Sequence, residues 1–580
     1  MENADIAKIF YDIADLLEIK GEDKFRIRSY RNAGLVIEGL SESLKKLYEK
    51  GEEHLEGIPG IGVSTRAKII EILTTGKCKY HDELLKGIPI GMLEIVKISG
   101  VGPKKAALLY KELGVSTIEA LEKAASEQKI RNLPGMGEVT EQKILKSISD
   151  MKAMERKFKI AVALNYANSF VEYIKKIPGT VDVVPSGSLR RWKETVGDID
   201  ILTTCTDPQA VMDKFVAHPD VVEVLSKGET KSTVVVKAGV QIDIRVLEKK
   251  SFGAALQYFT GSKTHNIALR DRAKRMGLKI SEYGVFKEEG KKWVAGTKEE
   301  DVYKIVGLPW IPPELRENRG EIEAAEKGTL PKLIELDDIR GDLHVHTKES
   351  DGTYTLEDMT EAAMQRGYEY MAVTDHSKAI GIARGLDEQR IMAQMGAIDE
   401  FNAKLKKRGK KFRVLKASEV DIRADGSLDH PDRVLDKLDC VVASIHSGFK
   451  MGMEEMTARI IKAIQSRKIN ILAHPTGRLI NERAPYPVDM DRVMDEAKKY
   501  NIALELNSYP DRLDLNDVHC RLAKEKGVKL AISTDSHSIY HLEHILYGIH
   551  TARRGWIEAA DVINTRPLKE VLKFLKGPKS

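Results

Sequence analysis

Two groups of metal-ligating side chains, far apart in the chain, are spaced for phosphate chemistry. One is Gly187-Ser188 followed by Gly197-Asp198-Ile199-Asp200 and completed by Asp243; the other opens at His344-Val345-His346. A carboxylate triad with no neighbouring histidine suits hard Mg²⁺ poised on a triphosphate, whereas mixed imidazole and carboxylate ligands suit Mn²⁺, Fe²⁺ or Zn²⁺. One chain thus carries groups for both making and breaking phosphodiester bonds.

The carboxylates need strands to aim them. Asp198 and Asp200 are two apart, so an extended segment sends both to one face while Ile199 and Ile201 point into a core; Asp243, between Ile242 and Ile244, repeats this on a second strand. An isolated Asp-x-Asp is usually a pair of solvated charges. Here Ser188 adds a hydroxyl, Arg190-Arg191 add planar cationic forks, and Gly197 lets a phosphate approach closely. Period-two segments at 181–185, 198–203, 233–236 and 241–246 predict an α/β region.

The imidazoles need a barrel. Strand-like runs at 341–347, 370–374, 412–420, 440–444, 470–473, 502–506 and 529–534 alternate with amphipathic helical stretches, which predicts a parallel β/α barrel. A single histidine beside an apolar run is more often a hydrogen-bonded core residue. His344, His346, His376, Glu419, His446, His474, Asp535 and His537 instead recur at successive strand ends, with Asp351 in the first loop, so a barrel gathers them on one face. His430, His519, His541, His544 and His550 have no such placement and are expected to be structural or exposed.

Residues 1–150 are helical, punctuated by Gly57-Ile58-Pro59-Gly60-Ile61-Gly62, Ser99-Gly100-Val101-Gly102-Pro103 and Leu133-Pro134-Gly135-Met136-Gly137. A glycine turn opening a helix offers backbone N–H groups and a helix dipole to a phosphate. One copy could simply join packed helices; three form the helix-hairpin-helix pattern of sequence-independent DNA binding. A charged, proline-punctuated stretch from about 309 to 339 reads as a linker with some helix.

At 580 residues the chain exceeds one core and implies several domains. Four cysteines without paired spacing suit a reducing cytosol, and no window offers the ~18 apolar residues of a membrane span. A cytoplasmic monomer without membrane association is expected. A net charge of +5 does not announce nucleic acid, although residues 251–300 carry a basic excess.

The run Gly187-Ser-Leu-Arg-Arg-Trp-Lys-Glu-Thr-Val-Gly-Asp-Ile-Asp200 resembles the palm signature of family X DNA polymerases, the group containing DNA polymerase beta. Tyr258-Phe259-Thr260-Gly261-Ser262, Asn266, Arg270 and Glu282-Tyr283 extend the likeness in order and spacing. The resemblance implies that Asp198 and Asp200 bind two Mg²⁺ ions about 3.5–4 Å apart, with Asp243 on the catalytic one. It further implies that Gly187, Ser188, Arg191 and Gly197 contact a deoxynucleoside triphosphate. Tyr258 and Phe259 would exclude a ribose 2′-hydroxyl, Thr260 and Gly261 would help hold the incoming nucleotide, and Asn266 and Arg270 would sense the nascent pair. Val196 replaces a serine of that family. Lys68 matches the family's Schiff-base lysine, with Arg26 and Tyr30 in its phosphate pocket, but Ser64 stands where that pocket has a lysine. Lyase and solubilising readings of Lys68 both stay open. A monovalent cation is implied at the carbonyls of Ile58, Ile61, Ile98 and Val101.

The histidine series resembles the polymerase and histidinol phosphatase (PHP) domain, whose nine ligands match His344, His346, Asp351, His376, Glu419, His446, His474, Asp535 and His537 in order. The resemblance implies a cluster of up to three Mn²⁺, Zn²⁺ or Fe²⁺ ions, two of them bridged by Glu419, that hydrolyses a DNA 3′ end or a phosphomonoester.

The whole chain resembles bacterial and archaeal family X polymerases with a carboxy-terminal PHP domain. The implied order is a lyase-like helical domain (1–90), a second helix-hairpin-helix subdomain (91–150), a nucleotidyltransferase palm (151–246), a nucleotide-binding thumb (247–317), a linker (318–338) and a distorted (β/α)7 PHP barrel (339–580). The implied activity is gap filling on gapped or primer-template DNA, with 3′–5′ exonuclease and AP-endonuclease or 3′-phosphatase action. The alternatives are a DNA-tethered PHP nuclease with an inert palm, and a metal-independent scaffold for DNA ends.

Overall fold

A computed structural model describes residues 3–38, 44–56, 58, 61–89, 91–96, 98, 100–155, 157–289 and 292–577. The chain divides into two compact units, Met1–Arg156 and Lys157–Ser580.

The amino-terminal unit is helical. Its long helices Asn3–Ile19, Lys24–Glu38, Val63–Thr75, Pro103–Leu113 and Glu138–Glu155 bury one apolar stripe each, with Phe10, Ile13, Leu17, Ile37, Ile69, Leu109, Ile144 and Ile148 in a common core. The three glycine turns share one hydrogen-bond scheme. Ile61, Val101 and Met136 donate their N–H to the carbonyls of Ile58, Ile98 and Leu133 at 3.1, 2.9 and 3.0 Å. Each turn then opens a helix. Gly57, Pro59, Gly60 and Ser99 lie outside the described residues.

The second unit begins with a five-stranded sheet in the order Thr180–Pro185, Asp198–Cys205, Gln241–Val246, Lys231–Val236, Val221–Lys227. Helices Ile160–Lys175 and Pro208–Val216 cover one face, where Phe170 and Phe215 pack on Ile199, Ile201, Ile242 and Ile244. Asp207 starts the second of these helices by accepting the Ala210 N–H, with Pro208 at the first turn. Helix Phe252–Thr260 covers part of the other face, packing on Leu202. A three-stranded antiparallel sheet, Leu278–Ser281, Gly284–Lys287 and Trp293–Ala295, follows. The edge strand Val221–Lys227 was not anticipated, because its side chains are mostly exposed and leave no apolar alternation to read.

The stretch 318–338 is packed rather than free. Ile322, Ala325 and Leu333 share a core with Trp556, and the Ile334 N–H donates to the Ile557 carbonyl at 3.0 Å. Acids in and just before it look solvated in sequence but meet fixed partners: Glu314 pairs with Arg553 at 2.7 Å and Glu321 with His265 at 2.6 Å.

The carboxy-terminal half is a seven-stranded sheet of Gly341–Val345, Tyr370–Val373, Arg413–Asp421, Cys440–Ser444, Ile471–Leu472, Ala503–Asn507 and Leu530–Ser533, all neighbours parallel. The sheet nearly closes into a barrel, because His346 N–H donates to the Ser536 carbonyl at 2.8 Å beside the first and last strands. Leu343, Ala372, Leu415, Val442, Ile471 and Ala531 belong to one of its two cores. The cysteines are unpaired, and no described helix is long and apolar enough to cross a membrane.

Candidate metal centres

Strands Asp198–Cys205 and Gln241–Val246 run parallel in register, with Asp200 opposite Asp243. Alternation buries the flanking isoleucines completely and leaves the aspartates together on the other face. Burial, then the charges of Asp198 and Asp243, push the Asp200 carboxyl up to about 7. Burial and Asp243 also raise Asp198. The Lys231 ammonium lies 2.8 Å from Asp243, and Gln241 Nε2 donates to it at 3.0 Å. Asp198 and Asp200 are driven toward protonation first by burial and then by neighbouring carboxylates, and the Lys231 charge does not offset this, a condition that divalent cations would relieve. Among the described residues, the only ligand sets lying within 4.8 Å of one another belong to the barrel.

The turn before the aspartates is fixed by backbone. Ser186 N–H donates to the Asp200 carbonyl at 2.8 Å, and helix Gly187–Arg190 follows. Gly187 has φ +65°, and a Cβ there would stand 2.8 Å from Asp200 Oδ2. Ser188 is half-buried on this turn, and Gly197 is exposed with open space where a Cβ would be. Val196 is buried in the core.

The Arg191 guanidinium, expected at a triphosphate, here donates to Glu317 at 2.9 Å and to the Thr260 carbonyl at 2.8 Å. Burial would raise the Glu317 carboxyl, but the Arg191 and Arg554 charges overcome it and hold the group below the usual range. Arg190 binds Glu299 through both terminal nitrogens at 2.7 and 2.9 Å and Thr260 Oγ1 at 2.9 Å. These contacts bring the turn against Tyr258–Gly261.

Asn266 knits that second turn, donating to the carbonyls of Tyr258 at 2.6 Å and Gly261 at 3.2 Å. Tyr258 and Phe259 meet edge to face, ring centroids 5.2 Å apart, with Arg245 over Phe259. Arg270, one helical turn beyond Asn266, is exposed.

In the amino-terminal unit, Lys68 Nζ donates to Ser64 Oγ at 3.0 Å and lies 5.6 and 5.1 Å from the ring centroids of Tyr30 and Tyr80. Arg26 lies 5.3 Å from the Tyr80 centroid. Gly62, Gly102 and Gly137 each have open space where a side chain would be. The described part of each glycine turn is therefore unobstructed to a backbone phosphate.

In the barrel, five of the strand-end histidines surround Glu419. Its carboxylate lies 3.2 Å from His344, 3.4 Å from His346, 3.0 Å from His376, 3.3 Å from His446 and 2.9 Å from His474. His344, His346, Glu419 and Asp535 form one compact ligand set, His346, Asp351, His376 and His537 a second, and His376, Glu419 and His446 a third. His344 Nε2, His346 Nε2 and His376 Nδ1 are buried without a hydrogen-bond partner. Such nitrogens carry a desolvation cost that a metal ion removes, so the donor set fits one. Despite burial, the surrounding imidazoles hold Glu419 well below the carboxylate range, and Glu419 helps push His446 up to about 9. His474 and Asp535 have φ +28° and +52°, unusual for residues with side chains and concentrated here at the site.

Several supporting residues escaped the sequence reading. Glu505, fully buried, lies 2.7 Å from His344 Nδ1 and accepts the His474 N–H at 2.7 Å. Asp421 accepts the His446 N–H at 3.1 Å, Asp375 accepts the Thr347 N–H at 2.8 Å, and Arg512 Nε lies 3.7 Å from Asp535. A signal existed for Glu505, an acid interrupting the apolar run Ala503-Leu504-Glu505-Leu506.

Models of a helix-hairpin-helix domain, a SAM-like helix-hairpin-helix tandem, the DNA polymerase beta thumb and the PHP domain match residues 1–78, 92–150, 255–317 and 342–509. The chain is 39% identical over 578 residues to the DNA polymerase/3′-5′ exonuclease PolX of Bacillus subtilis, spanning 99% of this chain and 100% of that one. It is 27% identical over 347 residues to DNA polymerase lambda of Arabidopsis thaliana, 54% of this chain and 62% of the relative. A probable phosphatase of Thermoanaerobacter is 30% identical over 249 residues, 40% of this chain and 95% of the relative.

Proposed function

Because this chain belongs to the family X DNA polymerases that carry a carboxy-terminal PHP domain, we propose that it fills short gaps during DNA repair and trims DNA 3′ ends at its barrel. The observation carrying this reading is the coexistence of two acid-rich centres of different ligand chemistry in one chain. Its substrates are gapped or primer-template DNA and deoxynucleoside triphosphates, handled in the cytoplasm by a monomer. The division proposed for these tasks is a lyase-like domain (1–90), fingers (91–150), palm (151–246), thumb (247–317) and PHP domain (339–580).

In the palm, Asp198, Asp200 and Asp243 would hold Mg²⁺. Ions there supply positive charge for the attacking and leaving oxygens of an in-line displacement. Gly187, Ser188 and Gly197 line the side from which a triphosphate approaches, and Arg191 is available to it after leaving Glu317. Tyr258 and Phe259 would wall off the sugar, on a turn with Thr260 and Gly261 that Asn266 braces. Arg270, tied through Nε to the Asn266 carbonyl at 3.1 Å and otherwise exposed, would reach the nascent pair.

In the barrel, His344, His346, Asp351, His376, Glu419, His446, His474, Asp535 and His537 would hold Mn²⁺, Zn²⁺ or Fe²⁺. Such ions supply charge for phosphoryl oxygens and a hydrolytic nucleophile at neutral pH. Glu505 and Asp421 orient the imidazoles. The same centre would serve AP-endonuclease or 3′-phosphatase action.

Lys68 is the amine proposed as a lyase nucleophile, with Arg26 and Tyr30 beside it for a phosphate, and the repeated glycine turns support monovalent cations at the hairpin carbonyls and sequence-independent grip on DNA that weakens as salt rises.

A gapped duplex incubated with and without nucleotides tests both centres by product length. Asp243→Asn should abolish extension and keep shortening, and His344→Ala should do the reverse. Neither lengthening nor shortening by metal-loaded wild-type protein would overturn the reading.

A further inference from the structure

Glu317 is shared by two guanidiniums. Arg191 Nε donates to its Oε1 at 2.9 Å, and Arg554 NH1, from helix Ile545–Arg554 of the barrel half, donates to the same oxygen at 3.0 Å. Arg554 also donates to the Arg191 carbonyl and to Asp517, both at 2.8 Å. The side chains of Arg191, Glu317 and Arg554 are only 11%, 11% and 4% exposed. Other barrel residues grip the same segment. Trp192, at φ +54°, stacks on His550 with ring centroids 3.6 Å apart, and Arg478 binds Glu194 through both nitrogens at 3.1 and 2.7 Å. This segment joins the Gly187–Arg190 turn to Asp198.

A nearly buried carboxylate that loses its sole cation is strongly destabilising. Glu317 avoids that state, because Arg554 stays on the shared oxygen whether or not Arg191 does. Arg191 is thus a cation that can leave, and it stands directly after the turn beside the aspartates. We propose that Arg191 exchanges Glu317 for the triphosphate of an incoming nucleotide, and that Arg554 of the PHP half is the positioning residue that permits the exchange by keeping Glu317 compensated. The proposal rests on the polymerase reading of the palm and makes the barrel a working part of that site.

The test is steady-state primer extension with parallel exonuclease and melting measurements on full-length protein. Arg554→Met leaves Arg191 as the only cation hydrogen-bonded to Glu317, with Lys193 acting on it only at longer range, and should raise the nucleotide KM by about tenfold or more with a smaller change in kcat. Exonuclease activity should be unchanged. Arg554→Lys keeps the charge and should restore most of the loss. Adding Glu317→Gln to Arg554→Met removes the need for compensation and should return KM toward wild type, a rescue that general loosening of the fold does not produce. An unchanged KM in Arg554→Met, or a raised KM that Glu317→Gln fails to lower, overturns the exchange. Wild-type protein that never extends the primer overturns the polymerase reading itself.

Discussion

The buried carboxylate of Glu505 lies 2.7 Å from His344 Nδ1, which leaves Nε2 as the nitrogen directed at Glu419 and Asp535. A carboxylate behind a metal-ligating imidazole fixes its tautomer and strengthens it as a donor. Glu505→Gln should therefore weaken metal retention by about 10- to 100-fold. Metal titration of exonuclease activity reads this directly, and primer extension should be unaffected.

Gly187→Ala should abolish extension selectively. Its φ of +65° strains any side chain, and the new methyl would sit 2.8 Å from an Asp200 oxygen. The strain costs about 1–2 kcal/mol, too little to unfold the chain. Loss of exonuclease activity in the same variant would show that the damage is not local to the palm.

Arg316 is fully buried and pairs with Glu299 at 2.5 Å, while Glu299 also takes Arg190 at 2.7 Å and the Trp310 indole at 2.8 Å. Glu299→Ala leaves a buried guanidinium unpaired and should cost about 3–5 kcal/mol. Denaturant unfolding measures it. A loss below about 1 kcal/mol, the range of an exposed pair, would contradict the burial.

Acid should loosen the same region. Burial would raise Glu299 and Glu314, but Arg316 acts on the first, and His550 and Arg553 on the second, to hold each carboxyl down at about 2. Unfolded glutamates titrate near about 4.3. Between these values the unfolded chain binds more protons, so stability is full above the unfolded value and falls as pH drops toward 2. Melting temperature against pH should decline there, and less steeply in a Glu299→Gln variant.

Lys68→Ala should abolish the borohydride-trapped adduct between this protein and DNA carrying a 5′-deoxyribose phosphate. Adduct of undiminished yield would assign the chemistry to another amine.

The aspartates, the strand-end histidines and the glycine turns were legible because each rests on local spacing. Period two places Asp198 and Asp200 on one face whatever the rest of the chain does, and parallel strands in a barrel end on one side. Glu314, Glu317 and Glu321 were illegible for the opposite reason. A glutamate in a charged stretch broken by proline and glycine reads as solvated until its partners arrive from 50 to more than 200 positions away, as with Glu321 and His265 or Glu314 and Arg553.

The amino-acid order by itself thus determined which strands and turns carry the carboxylates, imidazoles and glycines proposed to hold metal and phosphate, since that follows from short-range periodicity. Tertiary structure alone decided that Arg191 turns to Glu317, that Glu505 stands behind His344, and that the barrel grips Arg191–Glu194. These pairings depend on which charges are removed from water together, and that is set by packing between segments with no adjacency in sequence.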